Sequence, residues 1–142
     1  VKAQRPNLLD RGLILVLEEM IHDKEEQVGD NLVILWHNYL EDDLHLTDEE
    51  TTSLYRIVHE ALMNVIKHAQ ADQVVITVKK ENNFLELGIE DNGFGFSEKE
   101  LDNIDQHFGL LGMKERATMI GAALRLESTP GRGTTLTVKL KV

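Results

Sequence analysis

Two runs rich in β-branched and other apolar residues, Val74-Val75-Ile76-Thr77-Val78 and Phe84-Leu85-Glu86-Leu87-Gly88-Ile89, are separated by Glu81-Asn82-Asn83 and read as an antiparallel hairpin. A second pair, Ala122 to Ser128 and Thr134 to Val142, brackets the turn Thr129-Pro130-Gly131-Arg132-Gly133. Strands that follow one another as antiparallel partners exclude a doubly wound parallel sheet. Leu32-Val33-Ile34-Leu35-Trp36, within Asn31 to Leu40 and bounded by Gly29-Asp30 and Glu41-Asp42-Asp43, predicts one more short, buried strand.

Helices fill the gaps. Leu9, Leu13, Leu17, Met20 and Ile21 recur at helical spacing within Leu8 to Val28, behind Asp10 as N-cap, and Gly29-Asp30 ends that helix. Thr47 with Glu50 three residues later has the capping-box pattern. Behind it Leu54, Ile57, Val58, Ala61, Leu62, Val65 and Ala69 form the strongest helical period in the chain. A third helix opens at Gly109, runs from Leu110 to Ile120 and stops at Gly121, and the polar stretch from Asp91 to about His107 reads as a mobile loop. The expected architecture is an α/β sandwich with its helices on one face.

With 142 residues, 42% of them apolar, and no internal repeat or linker, residues 1–142 read as one domain. Such a chain buries roughly two-thirds of its unfolded surface and needs no staples. The absence of Cys excludes disulfides, thiolate metal sites and cysteine nucleophiles. A net charge of −10 speaks against nucleic acid and against direct contact with an anionic membrane. The longest apolar run, Gly12 to Leu17, is far too short to span a bilayer. Val rather than Met at position 1 suggests a domain cut from a longer protein.

On the central helix Glu60, Asn64 and Lys67 sit at i, i+4 and i+7, opposite the apolar arc. Periodicity alone favours a solvated face. Asn64 is the odd member, a weak helix former whose carbonyl oxygen suits a hard cation such as Mg²⁺. Asp91-Asn92-Gly93-Phe94-Gly95 follows a strand, where the two glycines either end it in a turn or let the backbone approach a ligand. A shielded Asp91 needs donors, and a purine's exocyclic amine is one. Gly109-Leu110-Leu111-Gly112 is either a glycine cap with close helix packing or a set of open backbone N–H groups for phosphate. Gly133-Thr134-Thr135 reads first as a hairpin turn, with two hydroxyls beside it. The six histidines show no zinc-hydrolase spacing, and no Rossmann fingerprint, P-loop or nucleophile elbow occurs.

Taken in order, Glu60-x-x-x-Asn64-x-x-Lys67-His68, Asp91-x-Gly93-x-Gly95, Gly109-x-x-Gly112 and Gly133-Thr134 resemble the GHKL (Bergerat) ATPase family. His59 to Ala69 and Gly109 to Ala117 resemble bacterial sensor histidine kinases of the nitrate-sensor and desaturase-thermosensor type. The resemblance covers about Leu54 to the end, and more loosely Arg5 to Leu13, which is similar to the connector from dimerisation helices; residues 1–17 would hold its end. It implies a two-layer α/β (α+β) sandwich, with a mixed, largely antiparallel sheet of about five strands and a nucleotide lid loop.

The resemblance further implies ATP and Mg²⁺ as ligands and phosphoryl transfer to a histidine on a separate dimerisation domain upstream. Asn64 would coordinate Mg²⁺, Glu60 would act at the γ-phosphate, Lys67 or His68 would contact phosphate oxygen, and Asp91 would read adenine. Gly93 and Gly95 would shape the adenine-side turn. Gly109, Leu110 and Gly112 would close the lid on the phosphates, and Thr134, with Thr135 beside it, would complete the pocket floor. His59-Glu60 copies an acceptor pair but lies inside the metal-binding motif. His107-Phe108 replaces a glycine of many relatives, implying a stiffer or shorter lid. The implied setting is the cytoplasmic side of a membrane-anchored sensor with a response-regulator partner. Another GHKL ATPase, such as an anti-sigma serine kinase, and a noncatalytic nucleotide-binding module are the alternatives.

Overall fold

A computed structural model describes residues 12–101 and 109–142, apart from the side chains of residues 98 and 101. Helix α1 spans Leu13–Val28, strand β1 Val33–Asn38 and helix α2 Asp48–Asn64, the last continued by a π-helical turn over Val65–Ala69. Strands β2 (Gln73–Glu81) and β3 (Phe84–Asp91), a helical turn α3 (Glu98–Leu101), helix α4 (Leu110–Met119) and strands β4 (Ala123–Thr129) and β5 (Gly133–Lys141) complete the order.

The sheet runs β1-β2-β3-β5-β4, with β1 parallel to β2 and every other neighbouring pair antiparallel. It is therefore a mixed, largely antiparallel five-stranded sheet, as expected. Alternation along its strands sends Val74, Ile76, Val78, Leu85, Leu87, Ile89, Leu136, Val138 and Leu140 to one face, where all are buried. The helices cover that face with Leu13, Leu17, Met20 and Ile21 of α1, Leu54, Ile57, Val58 and Leu62 of α2, and Leu110, Met113 and Ala117 of α4. Each fully buried aliphatic side chain here contributes roughly 1.5–3 kcal/mol, which is why periodicity rather than local propensity sets the element boundaries.

Local chemistry explains the ends. The Thr47 hydroxyl accepts from Glu50 N and the Glu50 carboxylate accepts from Thr47 N, a complete capping box on α2. Gly121, at φ +72°, ends α4 with a Schellman pair: Ala122 N donates to Ala117 O and Gly121 N to Thr118 O. In the β2–β3 hairpin Glu81 pairs with Phe84, and both turn residues, Asn82 and Asn83, have positive φ, as a two-residue turn matched to strand twist requires.

Three expectations change. The described part of α1 starts at Leu13 behind Gly12, whose φ of +82° is not helical. Asp10, with Leu8, Leu9 and the Arg5 to Arg11 part of the connector, lies outside the described residues. Strand β1 is shorter than Asn31 to Leu40 and sits at a sheet edge with only Ile34 buried, because one side of an edge strand has no neighbour to cover it. The loop after β3 contains α3, capped by reciprocal bonds between Ser97 and Glu100; its remainder, including His107-Phe108, lies outside the described residues. No helix among the described residues is long and apolar enough to cross a membrane.

Candidate functional site

A cleft opens between α2, the π-turn, the N-terminal half of α4 and the ends of β3 and β5. Its walls are mainly apolar, from Ala61, Val65, Ile89, Phe96, Met113 and Leu136, with Asn64, His68, Asp91 and Thr134 as the polar side chains. That composition suits a ligand with a flat apolar body and a few fixed polar groups.

Asp91 is the last residue of β3 and is only 7% exposed. Its Oδ1 accepts from Gly93 N at 2.8 Å, closing a tight turn, and Thr134, its partner in register on β5, also donates from the backbone. Burial pushes the carboxyl above its ordinary value of 3.8, and the two backbone donors offset only part of that rise. A carboxylate so placed gains most from a further donor brought by a ligand.

The glycines around Asp91 serve chain-to-chain approach. A Cβ on Gly93 would lie 2.2 Å from Ala69 O, and one on Gly133 would lie 2.0 Å from Asp91 O. At Gly95, φ is +70° and a Cβ would meet Thr129 O at 2.1 Å. The segment is pinned on both sides, since Phe94 N donates to Ala69 O and Phe94 O accepts from Gly131 N. Asn92 Oδ1 accepts from the backbones of Asp72 and Gln73. Ser128 Oγ accepts from Phe96 N at 2.7 Å and bonds Thr134 Oγ1 at 2.8 Å, tying the glycine turn to the β4–β5 turn.

The row on α2 is divided. Asn64 and His68 line the cleft, whereas Lys67 is exposed and does not. In an α-helix Lys67 would stand beside Asn64; the wider π winding advances less per residue and carries it away. Glu60 is outside the cleft lining too, and its carboxylate faces Gly109, just before Leu110 of the cleft wall: a Cβ built on Gly109 would be 3.0 Å from Oε2. Gly109 precedes α4 with φ +65°. Leu110 is buried in the cleft wall, and among the described residues a Cβ on Gly112 would meet nothing within 4 Å, so close packing against them does not explain that glycine. Thr134 lines the cleft and Thr135 faces the other side of the sheet, as strand alternation dictates.

His59 is outside the cleft lining, stacked on Tyr55 with ring centroids 6.2 Å apart. Burial pushes its pKa down, and Lys24 and Lys67 add to that. Among the described residues no group of three or more His, Asp or Glu converges as a metal cage. Sequence reading missed the aromatic wall: Phe94, 42% exposed, meets Phe96 edge to face at 5.5 Å. The alternation of aromatics with Gly93 and Gly95 was its only trace in the sequence.

Residues 49–142 match the family described as "Histidine kinase-, DNA gyrase B-, and HSP90-like ATPase". The signal transduction histidine-protein kinase/phosphatase DegS of Bacillus subtilis is 33% identical over 138 residues, covering 96% of this chain and 36% of that protein. The sensor histidine kinase ComP of the same organism is 32% identical, over 91% of this chain and 16% of that protein. The chain thus spans about a third or less of these curated relatives. In three dimensions it is similar to the histidine kinase domain of the Erythrobacter litoralis EL346 blue-light activated histidine kinase. There the TM-score is 0.78 at 20% identity, over 92% of this chain and 61% of that one, a likeness of fold.

Proposed function

The chain belongs to the histidine kinase-, DNA gyrase B- and HSP90-like ATPase family, and from that premise we propose that it binds Mg²⁺-ATP in the cleft and donates the γ-phosphate to a histidine on a separate dimerisation domain. The observation that carries the reading is Asp91: a buried carboxylate with a raised pKa at the end of an apolar, aromatic-walled cleft. Adenine supplies the donor that this group lacks, and the apolar walls take the faces of the ring.

The donor set fits Mg²⁺ as a visitor that arrives with the triphosphate. Mg²⁺ keeps several waters and takes one or two protein oxygens, so the Asn64 amide oxygen suffices and no preformed carboxylate cage is needed. Bound there, it would neutralise phosphate charge, which an acidic chain supplies poorly by itself. The backbone at Leu110 and Gly112 would hold phosphate at the start of α4, helped by the absence of a side chain at Gly112. His68 at the rim would contact phosphate oxygen, and Thr134 would brace the base end through Ser128. Glu60, beside Gly109 and one helical turn before Asn64, would orient the incoming acceptor at the γ-phosphate. Lys67, carried off the cleft by the π-turn, would act only at its approach.

The proposed setting is cytoplasmic, in a longer membrane-anchored sensor acting on a response regulator, with residues 1–17 holding the end of the connector. Incubation with radiolabelled ATP tests the reaction: the chain alone should gain no acid-labile label, and the parent protein's dimerisation helices, added in trans, should become labelled. Label on His59, or no label on those helices despite bound ATP, would contradict it.

A further inference from the structure

The two edges of the sheet differ in kind. Strand β4 carries the exposed charges Arg125 and Glu127, the usual protection of an open edge. Strand β1, Val33-Ile34-Leu35-Trp36-His37-Asn38, carries neither Lys, Arg, Asp, Glu nor Pro, and no strand pairs with its outer side among the described residues. Val33 N donates to Asp72 O and Tyr39 N to Val78 O, so alternate amides from Val33 onward point inward to β2. The amides and carbonyls of Ile34, Trp36 and Asn38 therefore point outward. Exposed apolar side chains run along the same edge, with Val33 at 52% and Tyr39 at 61% exposure.

We propose that the outer edge of β1 is a docking site for an extended basic peptide segment of a partner protein, which joins the sheet as a sixth strand. Outward backbone groups supply pairing and Val33 and Tyr39 supply apolar contact, the two components of strand addition. Charge selects the occupant. The strand is flanked by Asp30 before it and Glu41-Asp42-Asp43 after it, and Glu18 of α1 accepts from Trp36 Nε1 at 2.9 Å beside it. A second copy of this chain, with net charge −10, would bring the same acidic flanks together, whereas lysines or arginines on an added strand would neutralise them. The edge lies away from the Asp91 cleft, so this proposal stands independently of nucleotide binding.

Amide hydrogen exchange on the chain, followed by NMR, tests it with acetyl-Lys-Val-Lys-Val-Lys-Val-amide as probe and the corresponding Glu-Val peptide as control. At roughly ten times its Kd the basic peptide should slow exchange of the Ile34, Trp36 and Asn38 amides by about tenfold, with the Glu-Val peptide ineffective. Replacing Asp42 and Asp43 by Lys should weaken that protection several-fold while leaving the far edge, β4, unaffected. Unchanged exchange at those three amides under saturating basic peptide would overturn the proposal. So would equal protection by the acidic peptide, or protection that rises with protein concentration alone and so marks pairing between copies.

Discussion

The carboxylate of Glu60 lies against Gly109, so close that a Cβ on Gly109 would stand 3.0 Å from Oε2. Glycine there has two independent causes: the left-handed backbone, φ +65°, and the side chain across the gap. Gly109→Ala should destabilise the chain by about 1–2 kcal/mol from backbone strain alone, with the Glu60 clash added. In a Glu60→Ala background the penalty should fall but persist. Chemical denaturation of the four proteins of the cycle measures both parts.

Gly112 makes the opposite case. No described residue lies within 4 Å of a Cβ there, so Gly112→Ala should raise stability by about 0.5–1 kcal/mol through helix propensity. If the open backbone serves phosphate, the same substitution should weaken ATP binding. Stability and affinity moving in opposite directions, read by thermal melts and calorimetry, separates a ligand role from a packing role.

Asn64→Ala should lower ATP affinity in Mg²⁺ and leave it nearly unchanged in EDTA, because a site with one or two protein ligands has little redundancy. Titrations with and without the metal measure the difference. An unchanged Mg²⁺ dependence would remove Asn64 from the metal site.

Asp91 links the site to pH. Burial raises its pKa above 3.8, so ionisation is less favourable in the folded chain than in the unfolded one. The associated stability is fully present below the ordinary value and is lost as pH rises through the raised one. Adenosine binding, which needs the ionised acceptor, should run the other way and weaken on acidification before an exposed aspartate would protonate. Fluorescence titrations of adenosine across acidic pH check the sign, and Asp91→Ala should flatten the stability profile.

Hydrophobic period was enough to locate α1, α2, α4 and the four long strands, because each buries one face against a single core and nothing else in the chain produces that spacing. The pattern carries no information on neighbours, so β1 read as a buried strand when it lies at an edge. It is equally blind to winding: one π-turn at Val65–Ala69 suffices to separate Lys67 from Asn64 and His68. Strand alternation, counted from Asp91 across to Thr134, would have set Thr135 on the far face had the pairing been known. Ser128 is beyond reach for a different reason. It bonds Phe96 across 32 residues, and a lone serine on a strand has no signature for a partner so far away.

The central claim is that the Asp91 cleft is an adenine nucleotide site. Isothermal titration with ATP and with GTP, in Mg²⁺, on the unaltered chain and on Asp91→Ala, tests it most directly. The unaltered chain should bind ATP in preference to GTP, since guanine presents an acceptor where Asp91 requires a donor. The variant, still folded, should lose about ten- to a hundredfold in ATP affinity, the worth of a hydrogen bond to a charged group. No ATP binding by the unaltered chain, or equal affinity in the Asp91→Ala variant, would contradict it.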